Sequence, residues 1–477
     1  MSKAKYYFVL DIVGLDVSQL DSQSQLYPNI SNLIGKDGEY GYIQPVFPSV
    51  TCTVQSSITT GKYPAEHGII SNGMFDRENL QTYFWEQSTN LVQSPKAWDI
   101  IKQSDPQLKT AMLFWQNSLY SNNDFVISPR PIHLETGQMD LWCYSRPVNY
   151  YETIMEKIGE FNLMNYWGPF ASIKSSEWIT KSVQYTIENH KPNLLYAYFP
   201  QLDYSAQKYG KSSSQVQEDL QKIDTFVGSI VETTKKAGIY DQTQFLLLSE
   251  YGFNDVKGAV PINRILREKG FLKIRTIKNK EYIDFEYSDA FALVDHQVAH
   301  IFLNKDGISK IESIKQVLEE VSGIERVCGA DEKKNLHINH SRSGDLIAIS
   351  DKDMWFSYYW WYDDDDDGES KPPSSEGKVE PSTGDKAPTF TKTVDIHRKP
   401  GYDPLDLFFD PQKKSISTNT SLIKGSHGRP FNMETGEGLA AFASNKKLEN
   451  IPMGSYNGHP VINCIDVFQL VTRNFVA

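Results

Sequence analysis

Cysteine is scarce in this chain of 477 residues, and its four cysteines lie far apart, at Cys52, Cys143, Cys328 and Cys464. They form no CxxC pair and no zinc-finger spacing, so we expect neither a disulfide framework nor a structural zinc site. Long apolar runs are also lacking, since no stretch approaches the ~18 consecutive apolar residues of a membrane span. We therefore expect no membrane-spanning helix.

The sequence has no basic block either, and its formal net charge is −12. This balance argues against general binding to nucleic acid or to anionic membranes. A small phosphorylated substrate would still need local positive charge, which bound metal ions could supply. The N-terminal stretch MSKAKYYFVLDIVGL has too short an apolar run for a signal peptide, so we expect a cytoplasmic protein.

Hydrophobic residues make up 39% of the chain and aromatic residues 12%, which is typical of a globular protein. The length suffices for two or three domain-sized units. Strand patterns alternate with helical periodicity, which predicts an α/β fold. Predicted strands lie at 6–13, 41–45, 110–115, 193–199, 244–249, 344–350 and 439–444, with a hairpin within 271–287. Predicted helices lie at 28–33, 175–189, 212–237, 260–270, 308–321 and 464–475.

Residues 46–72 form the segment in which we expect a nucleophile. Thr51 follows a Pro-containing entry and precedes a run of small and apolar residues that ends at Gly61. The pattern predicts a hydroxyl at a helix start, where free backbone N–H groups favour an anion such as phosphate or sulfate. A Thr hydroxyl needs a base or a metal ion to become a nucleophile. The alternative is that Thr51 is an ordinary helix N-cap.

Asp11 interrupts the first predicted strand, YYFVLDIV. A charge inside such a strand is costly unless it is paired or bound to a metal. An Asp at the carboxyl end of a parallel strand also lies where open α/β sheets place their ligands. The alternative is a capping role for the next turn.

Two further segments are dense in polar side chains. The first, 293–302, contains Asp295, His296 and His300, and its alternative interpretation is a polar strand end with satisfied histidines. The second, 393–404, contains an Asp-x-His pair that we expect on one face of a strand, followed by two cations that could hold phosphate oxygens. A salt-bridged loop is the alternative there. The four residues are Asp395, His397, Arg398 and Lys399.

The nucleophile segment resembles that of the nucleotide pyrophosphatase/phosphodiesterase branch of the alkaline phosphatase superfamily. There, Phe-Pro-x-x-Thr precedes a short helix, Thr-Gly-x-Tyr-Pro, x-His-Gly-Ile and an Asn. The loop after strand 193–199 resembles the family's Pro-x-x-Asp-x-x-x-His-x-x-Gly through Asp203, and 424–428 resembles its Gly-x-His-Gly through His427. The matching residues of the first segment are Phe47, Pro48, Thr51, Thr60, Gly61, Tyr63, Pro64, His67, Gly68, Ile69 and Asn72.

This resemblance implies an alkaline-phosphatase-like α/β/α sandwich with a central, mostly parallel sheet and a smaller inserted subdomain. We expect the core at 1–254 and 390–477, and the insert at 255–389 with a mobile acidic loop at 363–388. It further implies two divalent metal ions, usually zinc, with manganese or magnesium as alternatives. Thr51 would be the nucleophile and Asn72 a donor to a non-bridging oxygen of the substrate. The implied metal ligands are Asp11, Thr51, Asp203, Glu250 and His427.

Three positions depart from the family pattern. Gln207 stands where the family has a His, and Glu250 and Tyr251 stand where it has Asp and His. Two hypotheses follow. In the first, other side chains replace the lost ligands in an atypical metal-dependent hydrolase of phosphodiesters, pyrophosphates or phosphomonoesters; in the second, a pseudoenzyme keeps the fold and binds a phosphorylated ligand. The retained nucleophile favours the first, with Gln207, Asp295, His296, His300, Asp395 and His397 as candidate replacement ligands.

Overall fold

The computed structural model describes residues 3–22, 25–362 and 385–476. The acidic run at 363–367, and with it most of the predicted mobile loop, lies outside these residues. In chain order the strands are β1 Tyr6–Ile12, β2 Glu39–Gln44, β3 Gly73–Asp76, β4 Gln81–Phe84, β5 Thr110–Leu113, β6 Phe125–Pro129, β7 Ile132–His133, β8 Met139–Asp140, β9 Cys143–Arg146, β10 Leu194–Phe199, β11 Thr243–Leu248, β12 Asn254–Asp255, β13 Gly258–Pro261, β14 Ile274–Ile277, β15 Lys280–Ile283, β16 Ala290–Asp295, β17 Val298–Leu303, β18 Ile324–Cys328, β19 Leu346–Ser350, β20 Met354–Ser357, β21 Phe409–Asp410, β22 Ser415–Ile416, β23 Gly425–Ser426, β24 Ala440–Ser444, β25 Gly454–Tyr456 and β26 His459–Asn463.

The α-helices are α1 Val17–Ser22, α2 Pro28–Ile34, α3 Thr51–Thr60, α4 Pro64–His67, α5 Ala97–Ser104, α6 Tyr150–Ile158, α7 Lys174–His190, α8 Gln201–Tyr209, α9 Ser214–Lys236, α10 Ile262–Glu268, α11 Lys305–Ile308, α12 Ile311–Glu319, α13 Ala330–Asn335 and α14 Asp466–Phe475. Short 3-10 turns occur at Thr89–Leu91, Leu163–Asn165, Tyr240–Gln242, Pro404–Leu407 and Thr420–Leu422. No helix among the described residues is long and apolar enough to cross a bilayer.

A ten-stranded sheet with the order β25-β26-β2-β24-β11-β1-β10-β5-β6-β9 is the centre of the larger unit. Strands β11, β1, β10, β5 and β6 are parallel neighbours, β26 pairs in parallel with β2, and β24 runs antiparallel between β2 and β11. The sheet is therefore mostly parallel, and the predicted fold class is confirmed.

The almost continuously apolar sequence of strand β1 is explained by its burial on both faces of the sheet. Tyr6, Phe8 and Leu10 belong to the hydrophobic core on one face of the sheet, whereas Tyr7 and Val9 belong to the core on the other face. Because side chains alternate along a strand and helices cover both faces, every position is buried. The same alternation puts Asp11 on the face of Tyr7 and Val9.

Helix α3 packs on that second face of the sheet, through Val54 and Ile58. Helices α5 and α14 contribute Trp98, Ile101 and Val467 to the same core. The first residue of α3 is Thr51, as the sequence predicts, and Gly61 ends the helix with a φ of 65°. The elements that carry Asp11 and Thr51 thus lie against each other.

The chain divides into two compact units: Met1–Ser71, Glu86–Asp255 and Lys424–Ala477 form the first, and Asn72–Trp85 with Val256–Ile423 form the second. The second unit contains the four-stranded antiparallel sheet β16-β17-β19-β18, and its β3–β4 hairpin packs Phe75 on Phe291 with ring centroids 4.7 Å apart. Relative to the boundaries expected from the sequence, residues 72–85 and 390–423 fall in this unit, because their contacts are made within it.

Two local predictions are wrong. The segment after β10, expected to be a loop, is helix α8, which buries Leu202 and Ala206 in the core and puts Asp203 and Gln207 one turn apart. The Asp-x-His pair at 395–397 does not lie on a strand, since the segment consists of turns. There, His397 Nδ1 lies 2.9 Å from the carbonyl oxygen of Phe84. The predicted hairpin within 271–287 is present as β14–β15.

Candidate active site

Three carboxylates of the first unit lie at the carboxyl ends of neighbouring parallel strands. Asp11 is near the end of β1, Glu250 follows β11 by two residues, and Asp203 lies in the first turn of α8, directly after β10. Strand β1 pairs with both β10 and β11, so one edge of the sheet collects all three side chains. Each is at most 5% exposed.

Thr51 joins this group from the N-terminus of α3. Val50, in extended conformation with φ −130° and ψ 154°, is the capping residue, so Thr51 is the first helical residue and not the N-cap. Its hydroxyl lies 3.1 Å from the hydroxyl of Tyr251. The alternative interpretation of Thr51 as a plain N-cap is therefore excluded.

Asp11 and Glu250 form the first of two polar pairs in the site. Gln55, one turn after Thr51, donates from Nε2 to Asp11 Oδ2 at 3.1 Å and to Glu250 Oε1 at 2.6 Å. Burial raises the pKa of Glu250 to about 7, and burial with the neighbouring Glu250 charge raises the pKa of Asp11 well above its usual range. The remaining oxygens, Asp11 Oδ1 and Glu250 Oε2, are buried without a partner of hydrogen-bond geometry in the described chain.

Asp203 and His427 form the second pair. Asp203 Oδ1 lies 3.5 Å from His427 Nε2 and accepts from the Tyr251 hydroxyl at 3.3 Å, and its Oδ2 accepts from Gln207 Nε2 at 2.6 Å. The Tyr251 ring stacks on His427 with centroids 3.5 Å apart and planes 9° apart. His427 Nδ1 lies 2.7 Å from the carbonyl oxygen of Ser49, just before α3. Gln207 therefore contacts a carboxylate through its amide nitrogen.

Gln55 is a site residue that sequence reasoning missed. Its Oε1 accepts from the backbone N–H of Gln116 at 2.7 Å, which turns the amide nitrogen towards the two carboxylates. It is fully buried. The available signal was its position four residues after Thr51, which places both side chains on one helix face.

In the second unit, Asn72 lies against Asp295. The Asp295 carboxylate accepts from the backbone N–H of Asn72 at 2.8 Å and from its Nδ2 at 3.1 Å, and His296 Nδ1 lies 2.7 Å from the same carboxylate. The Asp295 carboxylate thus contacts both Asn72 and His296.

The other candidate residues of the second unit are held by separate contacts. His300 Nδ1 accepts from the backbone N–H of Gly344 at 3.2 Å. Arg398 is an exposed partner of Asp395, at 3.5 Å. Lys399 is buried with its Nζ 2.8 Å from Asp403 and 2.6 Å from Asp406, so two carboxylates already compensate its charge. The proposal below therefore does not use these residues.

Within the described ranges, no three or more His, Cys, Asp and Glu side chains group as ligands of one metal ion. They form the two pairs instead. The first pair fits a divalent cation because Asp11 Oδ1 and Glu250 Oε2 are buried oxygens without a partner of hydrogen-bond geometry among the described residues, and Thr51 adds a hydroxyl oxygen. Such oxygen ligands suit magnesium or manganese, whereas the single imidazole of His427 is the one nitrogen ligand of the set.

The family model described as type I phosphodiesterase / nucleotide pyrophosphatase matches residues 7–403. An uncharacterized pyrophosphatase/phosphodiesterase of Schizosaccharomyces pombe is 24% identical over 230 residues, which are 47% of this chain and 40% of that protein. Ectonucleotide pyrophosphatase/phosphodiesterase family member 3 of Bos taurus is 26% identical over 249 residues, which are 50% of this chain and 24% of that protein. The matches thus span less than half the length of these relatives.

Two solved structures share the fold. An inactive variant of murine ectonucleotide pyrophosphatase/phosphodiesterase 5, in complex with AMP, has a TM-score of 0.59 at 13% identity, covering 100% of this chain and 95% of that one. Phosphonoacetate hydrolase from Sinorhizobium meliloti, in complex with phosphonoformate, has a TM-score of 0.60 at 13% identity, covering 100% of both chains. The resemblance inferred from the sequence is confirmed by these findings.

Proposed function

Because this chain belongs to the type I phosphodiesterase / nucleotide pyrophosphatase family, we propose that it is a metal-dependent hydrolase of phosphate esters with Thr51 as nucleophile. Its substrate would be a small phosphodiester, pyrophosphate or phosphomonoester. The observation that carries the proposal is the Thr51 hydroxyl, which starts a helix inside a buried group of three carboxylates and an imidazole. A fully buried group of this composition is costly to keep unless it has a function.

The hydrogen bonds of Tyr251 indicate how Thr51 loses its proton. The Tyr251 hydroxyl can donate to Asp203, at 3.3 Å, while its oxygen accepts from the Thr51 hydroxyl, at 3.1 Å. A proton can then pass from Thr51 to Tyr251 while the Tyr251 proton passes to Asp203. Thr51 Oγ1 would attack the phosphorus as this transfer occurs, and the bond from phosphorus to the leaving oxygen would break, with the proton on Asp203 passing to that oxygen. Water would then cleave the Thr51–phosphorus bond. The backbone N–H groups of the first turn of α3 would donate to the phosphoryl oxygens.

Asp11, Glu250 and Thr51 are the residues that would hold a divalent cation in the first pair, and Asp203 and His427 would hold one in the second. A cation there would supply positive charge that stabilises the alkoxide and the developing charge on the phosphoryl group. Magnesium, manganese and zinc are the ions to compare. Asn72 would donate from Nδ2 to a non-bridging oxygen of the substrate.

We also propose that the protein acts in the cytoplasm on a small phosphorylated substrate, without nucleic acid or membrane as a partner. The four cysteines, all within the described residues, form no disulfide and are buried, which suits a reducing compartment. The net charge of −12 disfavours anionic polymers and anionic lipid surfaces.

Thr51→Ala tests the nucleophile. We expect at least a hundredfold loss of turnover with folding and metal content nearly unchanged, because only the attacking oxygen is removed. The measurement is hydrolysis of nitrophenyl phosphate monoesters and diesters, a dinucleoside pyrophosphate and phosphonoacetate, each with added magnesium, manganese or zinc. Thr53→Ala is the matched control, since Thr53 is buried in the same helix and its hydroxyl has no hydrogen-bond partner among the described residues.

Unchanged rates in Thr51→Ala would remove Thr51 from the mechanism. If the wild-type chain binds AMP or phosphate but hydrolyses none of these compounds with any ion, the pseudoenzyme hypothesis replaces this one. Metal content measured by mass spectrometry on the same preparations separates loss of the ion from loss of the nucleophile.

A further inference from the structure

Gln55 is the side chain that Asp11 and Glu250 share. Its Nε2 donates to Asp11 Oδ2 at 3.1 Å and to Glu250 Oε1 at 2.6 Å. An amide nitrogen has two hydrogens, and these two contacts use both of them. All three side chains are fully buried. Gln55 therefore occupies one oxygen of each carboxylate in a part of the first unit that is closed to solvent.

The opposite oxygens of the two carboxylates are left over. Asp11 Oδ1 and Glu250 Oε2 are buried and have no partner of hydrogen-bond geometry among the described residues. None of the polar groups that act on the two carboxylates in this part of the chain is a cation. Buried carboxylates need positive charge, which a divalent cation can supply in place of a proton. Each carboxylate can offer one oxygen to such a cation.

Gln116 determines which end of the Gln55 amide faces the carboxylates. The Gln116 backbone N–H donates to Gln55 Oε1 at 2.7 Å. Because this N–H needs an acceptor, the amide oxygen lies towards it and the amide nitrogen lies towards Asp11 and Glu250. A reversed amide would place its oxygen against two carboxylate oxygens and its nitrogen against a donor. The Gln55 amide therefore has one favourable orientation.

The segment that contains Gln116 has an uncommon backbone conformation. Phe114 and Asn117 have positive φ values of 61° and 51°, and a positive φ is unusual for a residue as bulky as phenylalanine. The Phe114 N–H donates to the carbonyl oxygen of Ile127 at 2.8 Å, and its ring packs on Phe161 with centroids 4.7 Å apart. Strained residues persist only where the surrounding structure holds them, and they concentrate at functional sites. The direction of the Gln116 N–H is thus determined by the packing around this segment.

We propose that Gln55 is a positioning residue that makes Asp11 and Glu250 one-oxygen ligands and so selects magnesium or manganese over calcium. This inference rests on the proposed function, in which these two carboxylates hold a cation. Calcium takes about six to eight oxygen ligands and binds carboxylates through one or both oxygens, whereas magnesium requires a near-ideal octahedron and keeps several waters. A carboxylate whose second oxygen is bonded to Gln55 cannot turn both oxygens to the cation without losing that hydrogen bond.

Gln55→Met is the first test, because methionine keeps the length of the side chain and removes the amide. The chain is stripped of metal, and its affinities for manganese and calcium are measured by calorimetry, with manganese binding also followed by electron paramagnetic resonance. The wild-type chain should prefer manganese. In Gln55→Met, the calcium affinity relative to the manganese affinity should rise about tenfold or more, because both carboxylates can then bind through two oxygens.

Gln55→Glu is the second variant, and it keeps an acceptor for the Gln116 N–H. It replaces the donor by a further carboxylate oxygen, so the ratio of affinities should shift towards calcium at least as far as in Gln55→Met. Gln184→Met is the matched control. Gln184 on α7 donates from Nε2 to the carbonyl oxygen of Ser229 at 3.3 Å and to the hydroxyl of Thr233 at 3.1 Å, and its loss should leave the ratio within twofold of wild type.

The ratio of affinities separates this inference from the proposed function. A folded Gln55→Met or Gln55→Glu chain with the wild-type ratio would overturn the inference and leave the proposed hydrolase standing. A wild-type chain that binds calcium as tightly as manganese, or binds neither ion, would also overturn it. A shifted ratio in the Gln55 variants beside full turnover in Thr51→Ala would reject Thr51 as the nucleophile and support the role of Gln55.

Discussion

Tyr251 is the residue whose chemistry differs most from what the family pattern implies. The family has a metal-binding His at this position, and a neutral phenol is a poor metal ligand. In the structure its ring stacks on His427 and its hydroxyl lies between Thr51 and Asp203. The side chain thus keeps a place in the site through hydrogen bonds instead of coordination, and we assign it the transfer of the Thr51 proton.

Tyr251→Phe should therefore lower kcat at least tenfold. The phenyl ring preserves the stack on His427, whereas the lost hydroxyl interrupts the path from Thr51 to Asp203. The free energy of unfolding should fall by about 2 kcal/mol at most, because each of the two lost hydrogen bonds contributes about 1 kcal/mol. Steady-state kinetics and urea unfolding measure the two effects.

Tyr7→Phe is the control for this change. The Tyr7 hydroxyl is buried on β1 without a hydrogen-bond partner among the described residues, so its removal should cost neither activity nor stability. Equal kcat values for Tyr251→Phe and wild type would show that another group takes the Thr51 proton.

Helix α3 is the element on which the site depends. Its first residue is the proposed nucleophile, its second turn supplies Gln55, and it ends at Gly61. Gly61 has a φ of 65°, and a Cβ built there would lie 2.9 Å from side-chain atoms of Phe468 on α14. The end of α3 is thus determined both by backbone conformation and by close packing against α14.

Gly61→Ala should destabilise the protein by more than strain alone. We compare it with Gly137→Ala in the β7–β8 turn, where φ is 81° and an added Cβ meets nothing within 4 Å. In both variants, an alanine at positive φ lowers the free energy of unfolding by about 1 kcal/mol. Gly61→Ala should cost about 1–3 kcal/mol more because Phe468 must move. Urea unfolding of both variants measures this difference. Equal losses in the free energy of unfolding would mean that the Phe468 side chain shifts at no measurable cost.

At the scale of the whole molecule, the buried carboxyl groups couple stability to pH. Burial raises the pKa of Glu250 from its ordinary 4.5 to about 7, so between these values the folded chain binds a proton that the unfolded chain does not. This contribution is fully present below pH 4.5 and is lost as pH rises through about 7. It amounts to about 3 kcal/mol across the window, and Asp11 acts in the same direction.

In a chelating buffer, the titration of Glu250 should therefore contribute a decrease in the free energy of unfolding from pH 5 to pH 8. Glu250→Gln should remove that contribution. Urea unfolding at several pH values measures the slope, with Glu218→Gln on the exposed side of α9 as the control. Added magnesium or manganese should restore stability at pH 8, because a cation takes the place of the proton. An unchanged slope in Glu250→Gln would mean that the protein holds Glu250 ionised in spite of its burial.

Sequence patterns alone predicted several elements at the centre of the fold. Period-two and near-continuous apolar runs placed β1, β10 and β11, because a strand buried on both faces needs apolar side chains throughout. Helical periodicity placed α7 and α9 to within two residues. Helix α8 was missed because its polar residues, read as a ligand-bearing loop, hide two core positions, Leu202 and Ala206.

The sequence by itself also determined which side chains are available for chemistry. Asp11 and Thr51 stood out because each is a reactive or ligating residue within or beside an apolar or small-residue run, and Asp203 and His427 stood out through the resemblance of their segments to family motifs. Their order along the chain and their carboxyl-end positions follow from the α/β alternation. None of this required coordinates.

Only the tertiary structure decided how those side chains are paired. Gln55 hydrogen-bonds both Asp11 and Glu250, and Tyr251 hydrogen-bonds both Thr51 and Asp203. Asp295 accepts a hydrogen bond from Asn72. The members of these contacts are 44 to 223 residues apart in the sequence. A hydrogen bond depends on distances of a few tenths of an ångström and on the direction of each amide and hydroxyl. Residue order contains neither, because both arise when separate strands and helices pack together.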